Sequence, residues 1–391
     1  MKIGAGTVMA MNPRGEPGVA IVGGGIGGLA TAVALVQSGI PCMVYEAAPR
    51  LTDAGAGITL WANAGRVLEA LGILPEVLRC GSGLTELQLR NPKGEVLSRT
   101  NLADFGGSPL CVPRGDLIRC LAASVQPERL KTDHALSGIQ EEGGGYRLTF
   151  ENGQDAWHPA VVGADGIHSR VRAWLHGERP ARYAGYVCWR GLARVPVEKG
   201  IFFESWGEGR RFGLAPCGDG MVYWYATLNA AAGHRPDRHR PALLETFADW
   251  EPRVAAAIEA TPEDGILLHD IRDRPVLRRW GRGACTLLGD AAHPSTPNLG
   301  QGGGMALEDA LYFARCLSSQ SDITTAFRLY EAGRGARTRR VVELSARMGR
   351  VSQLGTPGLW KLRNHAIRLL PSSGFRNQIA PLHRHDPTVI P

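Results

Sequence analysis

Three glycines, Gly23, Gly25 and Gly28, with Glu46 eighteen residues beyond the last, have the types and spacing to hold a phosphorylated ligand. They follow the apolar run Val19–Val22 and open a helix expected over Ile26–Gln37, with Gly39 as its stop. In a strand–turn–helix of this kind the first glycine turns the chain tightly. The second lets a pyrophosphate approach the backbone, and the third lets helix and strand pack closely. Free N–H groups at the helix start then favour an anion. Glu46, closing a second strand over Cys42–Glu46, can accept both hydroxyls of an adenosine ribose. This unit alone does not separate FAD from NAD.

Two later segments narrow the choice. Leu288-Gly289-Asp290 ends the apolar strand Cys285–Leu288, which aims a carboxylate into the crevice where ligands bind in such sheets. It can hold the ribityl hydroxyls of a flavin. His293, Pro294 and Pro297 stiffen the loop that follows, and Gly300, Gln301, Gly302, Gly303 and Gly304 lead into a helix expected over Met305–Leu317. The N–H groups there would lie beside the pyrimidine edge of the ring and stabilise the negative charge of a reduced flavin. Asp165 in Gly163-Ala164-Asp165-Gly166 ends a third apolar strand, Ala160–Ala164. Alone it carries little, because an Asp-Gly turn into a helix is common. In this order the three segments point to a flavin bound in an extended conformation. Arg114 and Arg50 are candidates for its phosphates, with surface ion pairing an equal reading for Arg50.

These residues need a scaffold, and 391 residues exceed one ordinary domain. The expected architecture is α/β: a Rossmann-like dinucleotide domain built from 17–75, 101–175 and 276–345, interleaved with an antiparallel-sheet domain from 76–100 and 176–275. A flexible leader over 1–16 and a helical tail over 346–391 complete it. The second domain is read from strands at Tyr186–Gly191, Ile201–Trp206, Arg211–Pro216 and Met221–Leu228, a hairpin over Leu84–Arg99, and a helix over Ala242–Ala260. Asn63 is read as the cap of a helix running to Leu71. A long helix is expected over Thr324–Val351.

The net charge of +7 comes mostly from arginine, with no dense basic run that would suggest nucleic acid. The eight cysteines are scattered without a Cys-x-x-Cys pair, the pattern of reduced thiols in a cytoplasmic protein without a structural metal. Gly18–Tyr45 is uncharged, but its glycines and Pro41 disfavour a membrane span.

Together these motifs resemble the class A FAD-dependent aromatic monooxygenases, the p-hydroxybenzoate hydroxylase-like fold. Gly55-Ala56-Gly57-Ile58, the run Val162 to Arg172, and Gly289-Asp290-Ala291-Ala292-His293-Pro294 with Pro297 and Gly300-Gln301-Gly302 carry the resemblance over about residues 17–345. It implies FAD contacts at Gly27, Glu46, Ala47, Thr59, Arg114, Leu136, Asp290 and Gly300–Gly304, with Asp165 organising the cleft. NADH or NADPH would reduce the flavin as a transient co-substrate. O2 would then add at C4a, and the hydroperoxide would pass one oxygen to an aromatic ring, as hydroxylation or epoxidation. Tyr186–Gly191 and the stretch from Arg211 to Tyr225 are most similar to urate hydroxylase-like, zeaxanthin epoxidase-like and aurachin-type quinolone members. In the urate group an Arg and a Tyr twelve positions apart line the substrate pocket, the spacing of Arg211 and Tyr223. Tyr223, His293 and His168 stay open as general base. The other partners expected are none of nucleic acid or membrane, with a monomer or homodimer as the assembly. Competing readings are a flavin oxidase or reductase on this scaffold and a non-catalytic flavin-binding protein.

Overall fold

The computed structural model describes residues 18–51, 55–369 and 380–387, so the expected leader over 1–16 lies outside the described residues. At its centre is a five-stranded parallel sheet. Val19–Val22 is flanked by Cys42–Tyr45 and Ala160–Gly163, with Leu130–Lys131 and Cys285–Leu287 outermost. Every residue of the three inner strands is buried. They read as unbroken apolar runs because helices cover both faces of a parallel sheet. Helix Ile26–Gln37 packs against helix Gly302–Ser319.

That second helix begins three residues before the expected Met305. Gly302–Gly304 read as loop in the sequence, but Gly303 and Gly304 serve close packing. A Cβ on Gly303 would sit 2.8 Å from Ile58 Cδ1, and one on Gly304 3.1 Å from Asn63 Nδ2. Asn63 is not a cap either. Helix Ala62–Ala70 is entered through Trp61, and Asn63 turns inward.

The second sheet has seven strands. Their order is Leu267–Asp273, Arg182–Ala193, Val222–Asn229, Arg210–Pro216, Ile201–Trp206, Glu86–Arg90, Val96–Asn101. It departs from the expected antiparallel sheet at one joint, where Ile201–Trp206 runs parallel to Glu86–Arg90. Side chains alternate between its faces. On one face Trp224 stacks on Phe212 at 5.6 Å beneath helices His239–Thr246 and Pro252–Glu259. The single helix expected over Ala242–Ala260 is therefore two. Pro252 drives Glu251 to ψ 146, which no helix tolerates. On the opposite face Tyr223 meets the small sheet Gly57–Leu60, Leu110–Pro113, Ser82–Gly83. A Cβ on Gly57 would lie 2.4 Å from Tyr223 Cβ.

A buried charge cluster ties this together, between helix Gly302–Ser319 and the 30-residue helix Ile323–Ser352. Arg334 donates to Glu308 Oε2 at 2.7 Å and Asp309 Oδ1 at 2.6 Å, and all three are at most 1% exposed. Arg337 adds two further bonds to Glu308. Burial alone would raise both carboxyl pKa values. The arginines, joined at Asp309 by His293, overcome this and hold Glu308 and Asp309 down at about 2. Among the described residues no helix is long and apolar enough to cross a membrane.

Two outcomes follow from this packing. A Cβ at Gly28 would sit 1.9 Å from Gly23 O, so Gly28→Ala should lose about 3 kcal/mol of stability in urea unfolding; an unchanged midpoint would contradict the packing. The lowered carboxylates contribute stability that is complete above their unfolded pKa values of about 4 and drains away as pH falls towards about 2. Asp309→Asn should therefore flatten the acid limb of the stability curve. A limb identical to wild type would show that the pair carries no linkage.

Candidate flavin and substrate site

The glycine turn divides its work by position. Gly23 takes φ +108, and its missing Cβ admits Ala164 O at 2.5 Å, which seats the Asp165 segment against the turn. Gly25 differs, because nothing lies within 4 Å of a Cβ built there. Its surroundings are open, as backbone awaiting a close ligand requires. No side chain caps the helix that Gly25 opens, and its first turn holds no acidic residue. The orphan N–H groups are thus left for an anion. A Cβ on Gly27 would sit 2.8 Å from Leu288 Cδ2, a packing role.

Glu46 is held at its strand end by the Gly24 and Ala48 N–H groups, which donate to Oε2 at 2.6 Å and Oε1 at 2.9 Å. It stays partly exposed, and Ala47 beside it is exposed. Asp165 Oδ2 accepts from the Arg170 and Val171 N–H groups, while Oδ1 is buried with no partner among the described residues. Burial pushes the Asp165 pKa up. An orphaned carboxylate oxygen against the glycine turn suits a ligand hydroxyl.

Asp290 follows strand Cys285–Leu287 in a short turn, Gly289–Ala291. It is exposed to solvent, yet enough protein surrounds it to desolvate the carboxyl. Burial raises its pKa, against the pull of His293 and Arg114. Arg114 begins helix Arg114–Ala123 and packs along Gly55. A Cβ on Gly302 would lie 3.9 Å from Asp290 Oδ1, so the carboxylate stands beside the start of helix Gly302–Ser319. That start has neither a side-chain cap nor an acid in its first turn. Gly300 takes φ +60, and the Trp61 indole N–H donates to Leu299 O at 3.1 Å. Gln301 is buried and accepts from Asn63 at 3.0 Å, while Pro297 is exposed. Thr59 is half-buried in the small sheet, and Leu136 starts its strand inside the main core. Gly25, Asp165 Oδ1, Asp290 and the uncapped helix start fit an extended FAD.

The cluster around Arg334 escaped the sequence reading, yet it positions this loop. Asp309 Oδ2 accepts from the Gly289 N–H at 3.0 Å and bonds His293 Nε2 at 2.6 Å. His293 is thereby committed to structure, and His168 is exposed. Two adjacent acids inside an apolar helix, with arginines in the next helix, were the available signal. Arg172 braces the loop from behind, donating to Ala291 O and Ala292 O.

On the substrate side, the strand register puts Arg211 and Tyr223 on the same sheet face. Arg211 is 2% exposed, and its three nitrogens donate to Gln353, Glu204 and Asn298. Asn298 also accepts from the Tyr186 hydroxyl at 3.0 Å. Arg211 thus ties the sheet to the flavin-side loop. Tyr223 is nearly buried, and burial pushes its hydroxyl pKa up.

Comparison with known proteins agrees with this geometry. Residues 16–345 match the family described as FAD binding domain. Aurachin C monooxygenase/isomerase of Stigmatella aurantiaca is 38% identical over 362 residues, covering 90% of this chain and 94% of that protein. FAD-dependent urate hydroxylase of Klebsiella pneumoniae subsp. pneumoniae is 35% identical over 338 residues, covering 82% and 87%. The crystal structure of Klebsiella pneumoniae HpxO with FAD and uric acid superposes with a TM-score of 0.89 at 31% identity, covering 95% of this chain and 98% of that one. With such coverage and such a site, the chain belongs to the FAD-binding-domain family and, within it, to the class A FAD-dependent monooxygenases.

Proposed function

We propose that this enzyme inserts one oxygen atom from O2 into a fused heteroaromatic ring at the junction of the two sheets, with quinolone-like bicycles as the first class to examine. The observation that carries the reading is the uncapped, acid-free start of helix Gly302–Ser319 beside Asp290, packed on Ile58 of the small sheet whose Gly57 abuts Tyr223. FAD, when bound there, supplies reduction by NAD(P)H and activation of O2. The names of the aurachin and urate relatives support the bicyclic class.

The chain's own residues bind, orient and exclude water. The glycine turn and Arg114 would take the phosphates, Glu46 the adenosine ribose, and Asp290 with Asp165 the remaining hydroxyls. The helix start would face the ring edge that gains negative charge. Tyr186, Tyr223 and Tyr225 wall the substrate side with apolar surface, which keeps water from the reacting centre. Arg211 acts as a positioning residue, since its nitrogens already hold acceptors. Among the three candidate bases none is favoured: His293 is engaged by Asp309, burial raises the Tyr223 hydroxyl pKa, and His168 is exposed.

The eight cysteines are all thiols, which supports a cytoplasmic setting. The assembly is proposed as a monomer or homodimer.

The deciding experiment supplies isotopically heavy O2 during NAD(P)H oxidation stimulated by bicyclic heteroaromatics. The product should gain one labelled oxygen. Stimulated oxidation without label would instead favour an oxidase or reductase. Asp290→Ala should fold with an unchanged circular dichroism spectrum yet retain little FAD after gel filtration. Full flavin occupancy would remove Asp290 from the cofactor site.

A further inference from the structure

Arg190 stands on strand Arg182–Ala193, two residues from Cys188 and from Leu192, on the sheet face that also carries Tyr223. Its register neighbours are Tyr225 on one side and Leu267 on the other. Along that face, Tyr186 reaches the flavin-side loop at Asn298, and Leu192 packs with Tyr223 and Trp61. Arg190 lies between these two contacts, on the face that Tyr186 and Tyr223 turn towards Asn298 and Gly57. Protein crowds its side chain from nearly every direction, yet part of its surface remains open to solvent.

Other enclosed arginines have their acceptors. Arg211 has three, Arg334 has Glu308 and Asp309, and Arg172 and Arg363 hold backbone carbonyls. Arg190, among the described residues, makes no hydrogen bond or ion pair to oxygen, and Cys188 lies two residues away on the same face. Its neighbours do not neutralise it. Burial pushes Tyr186 up to about 12 and raises Cys188 and Tyr223 as well, while burial and Arg190 itself lower His269. An enclosed guanidinium without an anion is costly unless its partner arrives from outside.

We infer that Arg190 is a specificity-determining residue that binds an anionic oxygen carried by the ring substrate, whether a phenolate, the enolate of a ring carbonyl or a ring carboxylate. The inference rests on the monooxygenase reading for the identity of the reaction, not for the charge of the ligand. An ionised ring oxygen is also what makes a ring electron-rich enough to accept electrophilic oxygen. A planar guanidinium would hold it in a fixed orientation.

The test uses the FAD-loaded enzyme and reads ligand binding from the change in flavin absorbance. Two matched pairs serve as probes: hydroxyquinoline against methoxyquinoline, and naphthoate against its methyl ester. The first pair reports a ring oxygen and the second a carboxylate. Wild type should prefer the acidic member of at least one pair by about 10- to 100-fold. Arg190→Gln should abolish that preference with unchanged FAD content, and Arg190→Lys should restore part of it. Should Arg190→Gln fail to fold, Arg190→Met reads the same preference. A preference surviving in the neutral variant, or absent from wild type in both pairs, overturns the inference. Loss of preference in Arg190→Gln without isotope incorporation by wild type would keep the anion site and reject the monooxygenase. Incorporation with an Arg190-independent preference would do the reverse.

Discussion

The carboxylates of Glu308 and Asp309 occupy the interior beside Arg334, and the position of the flavin-side loop depends on that pairing. Ion pairs this deeply enclosed rarely add much to stability, because desolvation consumes the attraction. Beyond the pH-dependent share from the lowered carboxyl pKa values, their contribution here is geometric. Asp309 holds the Gly289 N–H and His293, Glu308 holds Asn63, and Asn63 holds Gln301. One network thus fixes both ends of the loop from Gly289 to Gln301 and the first turn of the helix after it. Removing one partner would leave a buried charge uncompensated, at a cost of about 3–5 kcal/mol. A loop so braced needs little reorganisation when a ligand arrives, which is the condition for electrostatic preorganisation.

Local rules made much of the fold legible. The apolar runs at Val19–Val22 and Ala160–Gly163 are buried parallel strands, and Met221–Leu228 is a strand whose alternation puts Tyr223 and Trp224 on opposite faces. Such patterns follow from covering a sheet on both sides or on one. The glycine spacing was readable because tight turn, open approach and close packing each exclude a side chain for their own reason, seen at Gly23, Gly25 and Gly28. Even so, Gly302–Gly304 looked like loop, since sequence shows the absence of a side chain and not the Ile58 that requires it.

Long-range pairings were not legible. Nothing within a short window links Glu308 to Arg334, or Ile201–Trp206 to the hairpin beginning at Glu86. Pro252 marked the break between helices His239–Thr246 and Pro252–Glu259 in the sequence, although Ala242–Ala260 read there as one helix. Arg211 and Arg190 show the same limit at the site. Both are inward-facing arginines on neighbouring parts of one sheet. Only the contacts distinguish them: the first is saturated by Gln353, Glu204 and Asn298, and the second has no oxygen partner among the described residues.

The central claim is a location: a flavin spanning from the Gly25 turn past Asp290 to the start of the helix at Gly302. A crystal structure of the enzyme with FAD tests it most directly. The account predicts the pyrophosphate over Gly25, the ribityl hydroxyls on Asp290, and the ring's pyrimidine edge within roughly 3 Å of the backbone N–H groups that open the helix. A flavin ring bound elsewhere, or an acidic group of the chain seated at that helix start in its place, would contradict the account.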